Sequence, residues 1–190
     1  MPLLFRNDRI VRKGALAVPV HVFQLLETLP GLHDLIFADH RACVRLQELR
    51  LFARIAQQTA LQHLSFSIEH ESVANGPPVA GPRGLQFIAV EWMVRDAVGE
   101  LGSSMGHLYK FLQPSLDTLT HLELRDYPHL DFQVFGPACT SLRTFKYTTY
   151  NQSPKMLEAV AEMFPNITDL EMVFLGYLWT VCRILIRQAK

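Results

Sequence analysis

The pentapeptide Gly102-Ser103-Ser104-Met105-Gly106 has the spacing of a nucleophile elbow, G-x-S-x-G, in which a serine on a tight strand-to-helix turn attacks a carbonyl. Ser104 would be the nucleophile of a small serine hydrolase. Asp117 with His121, or Asp126 with His129, follows in the hydrolase order. An elbow also needs a buried parallel strand directly upstream. The residues there, Arg95-Asp96-Ala97-Val98-Gly99-Glu100, are charged and broken by glycine. His121 sits inside an apolar pattern that accounts for it without catalysis. The residues therefore favour a helical Ser104 and a chain that is not an enzyme.

Other chemistry is thinner still. The eight histidines include no HxH or HExxH spacing, so a metal site would need ligands gathered by the fold. Cys43, Cys139 and Cys182 are widely spaced and form no CxxC pair, which fits reduced thiols of an intracellular protein. The sequon Asn166-Ile167-Thr168 opens an expected strand and is discounted on that ground. No cofactor or metal is expected.

Composition narrows the class of partner. With 190 residues, 49% of them apolar, the chain suits one globular domain. Lys+Arg and Asp+Glu both number 18. No basic face is visible of the kind phosphate contacts require, so no nucleic acid is expected. Arg6, Arg9, Arg12 and Lys13 precede an apolar run at 15–23, but no small-residue cleavage site follows, so this is not read as a leader. Residues 172–186 are apolar apart from Arg183 and fall short of the ~20 needed to span a bilayer. Neither segment is read as a membrane element.

The elements that would position these residues come from an internal repeat. A phrase L-x-x-L-x-L, with other apolar residues allowed at the fixed positions, occurs six times: LHDLIF from Leu32, LQHLSF from Leu61, LQFIAV from Leu85, LTHLEL from Leu119, LRTFKY from Leu142 and ITDLEM from Ile167. The starts are 29, 24, 34, 23 and 25 residues apart, close to the ~20–29 period of leucine-rich repeats except for one insertion. Positions four and six are two apart, so on a strand they share a face, and position one packs inward at the strand entry. No single repeat covers that apolar row alone, so neighbours must stack.

The segments between phrases read as returns. Ser153-Pro154 is a helix start, followed by the stripe Leu157, Val160, Ala161 and Phe164, with Pro165 as the stop. Phe23, Leu26 and Leu29 mark a helix closed by Pro30-Gly31, and a third helix is expected at about 104–112 with Met105, Leu108 and Leu112 inward. Residues 131–138 are too few for a helix and are expected to form an irregular turn. Leu46, Leu49 and Leu51 spell the phrase again only 15 residues before Leu61, so residues 42–57 are read as helix. The Gly/Pro-rich run at 72–83 is a loop within one repeat period.

These phrases, with the lead-ins Cys139-Thr140-Ser141-Leu142 and Phe164-Pro165-Asn166-Ile167, resemble the ribonuclease-inhibitor-like leucine-rich repeats of F-box proteins, degenerate fungal members above all. The resemblance covers about residues 20–173. It implies an α/β solenoid of about six irregular repeats, with parallel strands on one face and helices or turns on the other. In that family the repeats hold a protein substrate, while a separate F-box docks on the Skp adaptor of a cullin ubiquitin ligase. Residues 19–35 follow an F-box opening in their proline, leucines and aspartate, but His21 stands where an acidic residue is usual and the later tryptophan of the motif has no counterpart. The same letters read as helix and first repeat strand.

The expectation is thus one domain over 1–190, with 1–19 as an N-terminal extension and 174–190 as an apolar tail or cap. It is read as an intracellular protein-interaction module of F-box/leucine-rich-repeat type, or else as a degenerate repeat fragment without its own function. The binding surface is the row of third, fifth and seventh phrase positions. It runs from Asp34, Ile36 and Ala38 through His63, Ser65 and Ser67 to Phe87, Ala89 and Glu91; then His121, Glu123 and Arg125; Thr144, Lys146 and Thr148; and Asp169, Glu171 and Val173. The residues expected to touch a partner are His63, Ser65, Phe87, Glu91, His121, Glu123, Arg125, Thr144, Lys146, Asp169 and Glu171. Phe87 is the aromatic of the kind that anchors protein interfaces. The tail from Phe174 is expected either to fold back over the last phrase as a lid or to leave a sticky patch.

Overall fold

Each of the six phrases becomes a strand that begins at its third position. Alternating apolar residues bury one face there, and the polar residues between them face water. In the computed structural model, which describes residues 4–6, 9–12, 26–29, 31–37, 43–44, 49–69, 80–93, 108–125, 139–149, 155–175 and 181–187, the elements follow in order. They are β1 (Leu4–Arg6), β2 (Arg9–Arg12), β3 (Asp34–Phe37), β4 (Cys43–Val44), α1 (Leu49–Ala56), β5 (His63–Glu69), β6 (Phe87–Met93), β7 (His121–Arg125), β8 (Thr144–Thr149), α2 (Met156–Met163), β9 (Asp169–Leu175) and β10 (Val181–Arg187). The fold is α/β, with a mostly parallel sheet and few helices.

The described strands form one sheet in the order β1-β2-β3-β5-β6-β7-β8-β9-β10, with β4 beside β5. Seven of them, from β2 to β9 along that path, run parallel. The outermost pairs, β1 with β2 and β10 with β9, are antiparallel. Leu119 to Leu124 and Leu142 to Tyr147 thus contribute adjacent parallel strands, as the phrase spacing predicts.

Register keeps the phrases aligned. The fourth-position residues Leu35, Leu64, Ile88, Leu122, Phe145 and Leu170 stand opposite one another strand by strand. All six are buried, as are the first-position residues Leu32, Leu61, Leu85, Leu119 and Leu142. Leu26, Ile55, Leu108, Phe111, Leu112, Met156 and Val160 of the return segments join them in one apolar cluster. Burying large aliphatic side chains is worth roughly 1.5–3 kcal/mol each.

A backbone contact repeats with the phrase. The second-position carbonyl accepts two N–H groups, from the second and third positions of the next phrase. His33 accepts from Gln62 and His63, Gln62 from Gln86 and Phe87, Gln86 from Thr120 and His121, Thr120 from Arg143 and Thr144, and Arg143 from Thr168 and Asp169, all at 2.8–3.0 Å. The pattern is the same whether the phrases are 23 or 34 residues apart. The threonines at position two add their hydroxyls, Thr120 Oγ1 donating to the Gln86 carbonyl at 3.0 Å and Thr168 Oγ1 to that of Arg143 at 3.3 Å.

The lead-in turns are tied in the same repeating way. Ser141, just before its phrase, donates its hydroxyl to the Asp117 carbonyl, and Asn166 donates Nδ2 to the Thr140 carbonyl at 2.8 Å. Each acceptor lies two residues before the preceding phrase. Gly84 fills the same slot with φ of +91°, a left-handed conformation that favours glycine. Ser115, fully buried, receives the Leu85 N–H at 3.1 Å and donates to the Pro82 carbonyl, which fixes the turn into that phrase.

Several local expectations are corrected. The helix read at 42–57 starts only at Leu49, because Cys43 and Val44 pair with Ser67 and Ile68 of β5. In α2 the inward residues are Met156 and Val160, with Ala159 and Met163 partly buried, whereas Leu157 and Ala161 face water. Val160, and Phe164 just past the helix, are buried as the stripe places them, so two of its four residues face inward and two do not. Its Ser153-Pro154 start lies outside the described residues, as do Phe23, Met105, Ala38 and the turn at 131–138. Leu26 lies in a helical turn at 26–28 and is buried, and Leu108 and Leu112 are buried in helix at 108–112.

Both ends add strands to the sheet. Residues 1–19, read as an extension, contribute β1 and β2, and β2 pairs parallel with β3. The apolar tail does fold back, but beside the last phrase rather than over it. β10 pairs along all of β9, from Val181 with Leu175 to Arg187 with Asp169.

Candidate interaction surface

Because the register aligns the phrases, the residues between the buried ones form cross-strand rows on the outer face. The first row runs Asp34, His63, Phe87, His121, Thr144, Asp169, and the second Ile36, Ser65, Ala89, Glu123, Lys146, Glu171. Glu91 stands opposite Arg125 in a shorter third row. All eleven residues expected to touch a partner lie on this one face, exposed or half-buried. At about 4.8 Å per strand, the first row is roughly 24 Å long.

At the centre is a short aromatic ridge. The His63 and Phe87 rings meet edge to face with centroids 6.0 Å apart, and Phe87 and His121 are tilted at 6.2 Å. His63 Nδ1 hydrogen-bonds the Asp34 carboxylate, and His121 Nδ1 lies 2.8 Å from the Thr120 hydroxyl. Ala89, buried beside Phe87, leaves low relief between Ser65 and Glu123. A rigid aromatic at the middle of a half-polar surface is the composition found in the energetic centre of protein interfaces.

Charges on the face are largely matched within it. Arg125 Nε is 2.7 Å from Glu123 Oε1, Lys146 Nζ is 3.9 Å from Glu171 Oε2, and Ser67 donates to Glu91 Oε2 at 3.3 Å. The carboxylates are the more sunken partners: the Glu123 side chain is 16% exposed and that of Arg125 48%. Such exposed pairs contribute little stability, about 0–1 kcal/mol each. Their directional groups lie where a second surface would meet them. Toward β10 the face dips into a shallow hollow of about 140 Å³, lined by Thr144, Lys146, Asp169, Leu170, Glu171, Leu185 and Ile186.

The catalytic candidates do not come together into a described centre. Ser104, Asp126 and His129 lie outside the described residues. Asp117 is an exposed turn residue whose carbonyl holds Ser141, and His121 belongs to the aromatic ridge. Among the described residues no three of His, Cys, Asp and Glu gather to hold a metal ion. No described helix is long and apolar enough to cross a membrane. Cys139 is buried, its thiol donating to the Leu116 carbonyl at 3.1 Å, and burial pushes its pKa up.

Two features escape the sequence reading. Pro82 and Cys139 join Phe164, which the stripe already places inward, as buried residues three before a phrase, and Gln58 occupies the same place as a buried amide. Gln58 Nε2 donates to the Leu26 carbonyl at 2.6 Å, while Oε1 has no hydrogen-bond partner. The lead-ins at Cys139 and Phe164 carry the signal for this position, but a glutamine hides it. The hollow beside β10 had no signal, because it depends on how the tail pairs.

No family model, curated protein or solved structure matches the chain.

Proposed function

We propose that this chain is a leucine-rich-repeat solenoid of about six irregular repeats. In this reading it works as a protein-interaction module that binds a partner across the outer rows and performs no catalysis. The observation that carries the reading is the recurrent backbone contact, one carbonyl accepting two N–H groups, between all five pairs of successive phrases. It supports reading each phrase as an equivalent unit stacked on the last. A row of equivalent units offers a partner one contiguous surface, with Phe87 and its flanking histidines at the centre.

The resemblance in the phrases and lead-ins extends this to a role as the substrate-recognition repeats of an F-box-type ubiquitin-ligase subunit. Leu26, Leu32 and Leu35 serve in the core here, which leaves those three side chains out of reach of an adaptor.

Photo-crosslinking tests the module. A benzophenone side chain placed at Phe87 or Thr144 should capture a protein partner in cells, and one at Glu162 on α2 should not. Capture from Glu162 alone, or from neither face, would sink the outer-row reading. Mixing the purified chain with a Skp-type adaptor tests the ligase role separately. A stable complex supports it, and none at micromolar concentrations removes it.

A further inference from the structure

The sheet is bounded very differently at its two margins. β1, at one margin, has three residues; β10, at the other, has seven, paired to β9 along one side only among the described strands. Natural sheets shield their edges with short strands, proline, bulges or inward-pointing charge, because an open row of N–H and C=O groups recruits further strands. The sequence of β10, Val-Cys-Arg-Ile-Leu-Ile-Arg, is rich in residues that favour strands and contains no proline or acid. Leu185 and Ile186 are 47% and 45% exposed. They belong to the short set of large apolar residues left exposed in the described part of the chain. Among the described strands, an edge without a neighbour and exposed apolar side chains therefore coincide on β10.

We propose that β10 pairs antiparallel with β10 of a second copy, joining two sheets about a two-fold axis through Ile184. An edge strand meeting its own copy in antiparallel fashion is self-complementary, as a two-fold interface must be. Electrostatics selects the register. Centred on Ile184, the pairing sets Arg183 opposite Leu185 and Arg187 opposite Val181, so no arginine faces an arginine. Centred one residue later, on Leu185, it would set Arg183 opposite Arg187, and like charges directly opposed are destabilising. The face also agrees. Ile184 and Ile186 pair with the buried Met172 and Leu170 of β9, so the Ile184-centred register continues the core face into the second copy. A neighbouring strand there covers Ile186 and adds to the packing of Ile184, which already touches the core.

The test uses the full chain. Sedimentation equilibrium up to about 100 μM should show a mass rising toward twice that of the chain. Leu185→Lys and Ile186→Lys should each weaken the association at least about tenfold; Leu185 is on the outer face, so its variant is expected to fold even if the other does not. In a Cys43→Ser, Cys182→Ser background, Ile184→Cys should form a disulfide-linked dimer on mild oxidation, because directly opposed Cβ atoms lie about 4.5–5.5 Å apart. Leu185→Cys should not. A monomer at every concentration overturns the proposal, as does a dimer indifferent to both lysine variants. A Leu185→Cys crosslink without an Ile184→Cys crosslink overturns the register. Larger open-ended assemblies replace the closed pair with strand-edge aggregation.

Discussion

The two faces of the same strands are specified in different ways. On the inner face Leu64, Ile88, Leu122 and Phe145 are all but inaccessible, and they could exchange places chemically with little change except in volume. On the outer face His63, Phe87, His121 and Thr144 occupy the adjoining register positions, and no two neighbours are alike. One backbone carries both rows. The inner row must be apolar and filled because neighbouring strands and the return segments pack against it in one cluster, and the outer row, exposed or half-buried for the most part, is under no such constraint. A difference of this kind is expected where a fold holds a surface for use by something else.

The sharpest way to break the comparison is to truncate the inner row. Leu122→Ala should lower unfolding free energy by about 2–5 kcal/mol in a denaturant titration, the cost of a buried cavity. Leu170→Ala, nearer the sheet margin, should fall toward the lower end of that range. A neutral result at Leu122 would mean the inner row does not support the fold.

Next in size is a backbone contact in a return segment. Gly81 lies so close to Phe111 that an added Cβ would sit 2.3 Å from its carbonyl oxygen, whereas one at Gly31 meets nothing within 4 Å. Gly81→Ala should cost about 1–3 kcal/mol as overpacking, and Gly31→Ala should stay within about 0.5 kcal/mol. Equal effects at the two glycines would show that this turn is not held as described.

The lead-in ties come third. Asn166→Ala should cost about 0.5–1.5 kcal/mol by leaving the Thr140 carbonyl without that donor. Ser141→Ala should do the same through Asp117. The smallest stability effects belong to the outer row. Glu123→Gln and Lys146→Ala should shift unfolding by less than about 0.5 kcal/mol, and under the proposed function they should lower crosslinking of a partner from Phe87. An outer substitution as damaging to stability as Leu122→Ala would erase the distinction between the faces.

Cys139 adds a chemical probe of the inner side. Its pKa is raised by burial, so the folded thiol holds its proton to higher pH than the unfolded one. This contribution to stability is present below the ordinary thiol range and is lost as pH rises through the higher folded value. Thiol reagents at pH 8 should label Cys139 only on unfolding, and Cys139→Ser should flatten the loss of stability above about pH 9. Rapid labelling in native buffer would contradict its burial.

Strand positions were readable because the strand period is two and the phrases keep it: Leu122 with Leu124, or Leu170 with Met172, fall on one face of a strand. The outer row followed from the same parity, so the candidate surface was legible residue by residue. Helix faces were less so. Leu157 and Met156 are both apolar, and an eight-residue helix does not decide which of them faces the core until its sheet is in place. The start of α1 was misplaced because Cys43 and Val44 fit helix and strand alike, and their pairing with β5 is a contact across more than twenty residues. β1, β2 and β10 carry no phrase at all. Their antiparallel or marginal pairings are decided by what the neighbouring strand leaves unpaired, which no local pattern records.

Distance measurement along the outer row tests the proposed repeat array most directly, because stacked equivalent units would impose a ruler. Spin labels at residues 121 and 169, 87 and 169, 63 and 169, and 34 and 169 span two, three, four and five strand intervals in the described register. Pulsed and continuous-wave electron paramagnetic resonance should give separations that increase in that order by close to 4.8 Å per strand, to roughly 24 Å for the longest pair. Separations out of that order, or a longest pair far from that value, would contradict the proposed repeat array and the interaction surface proposed on it.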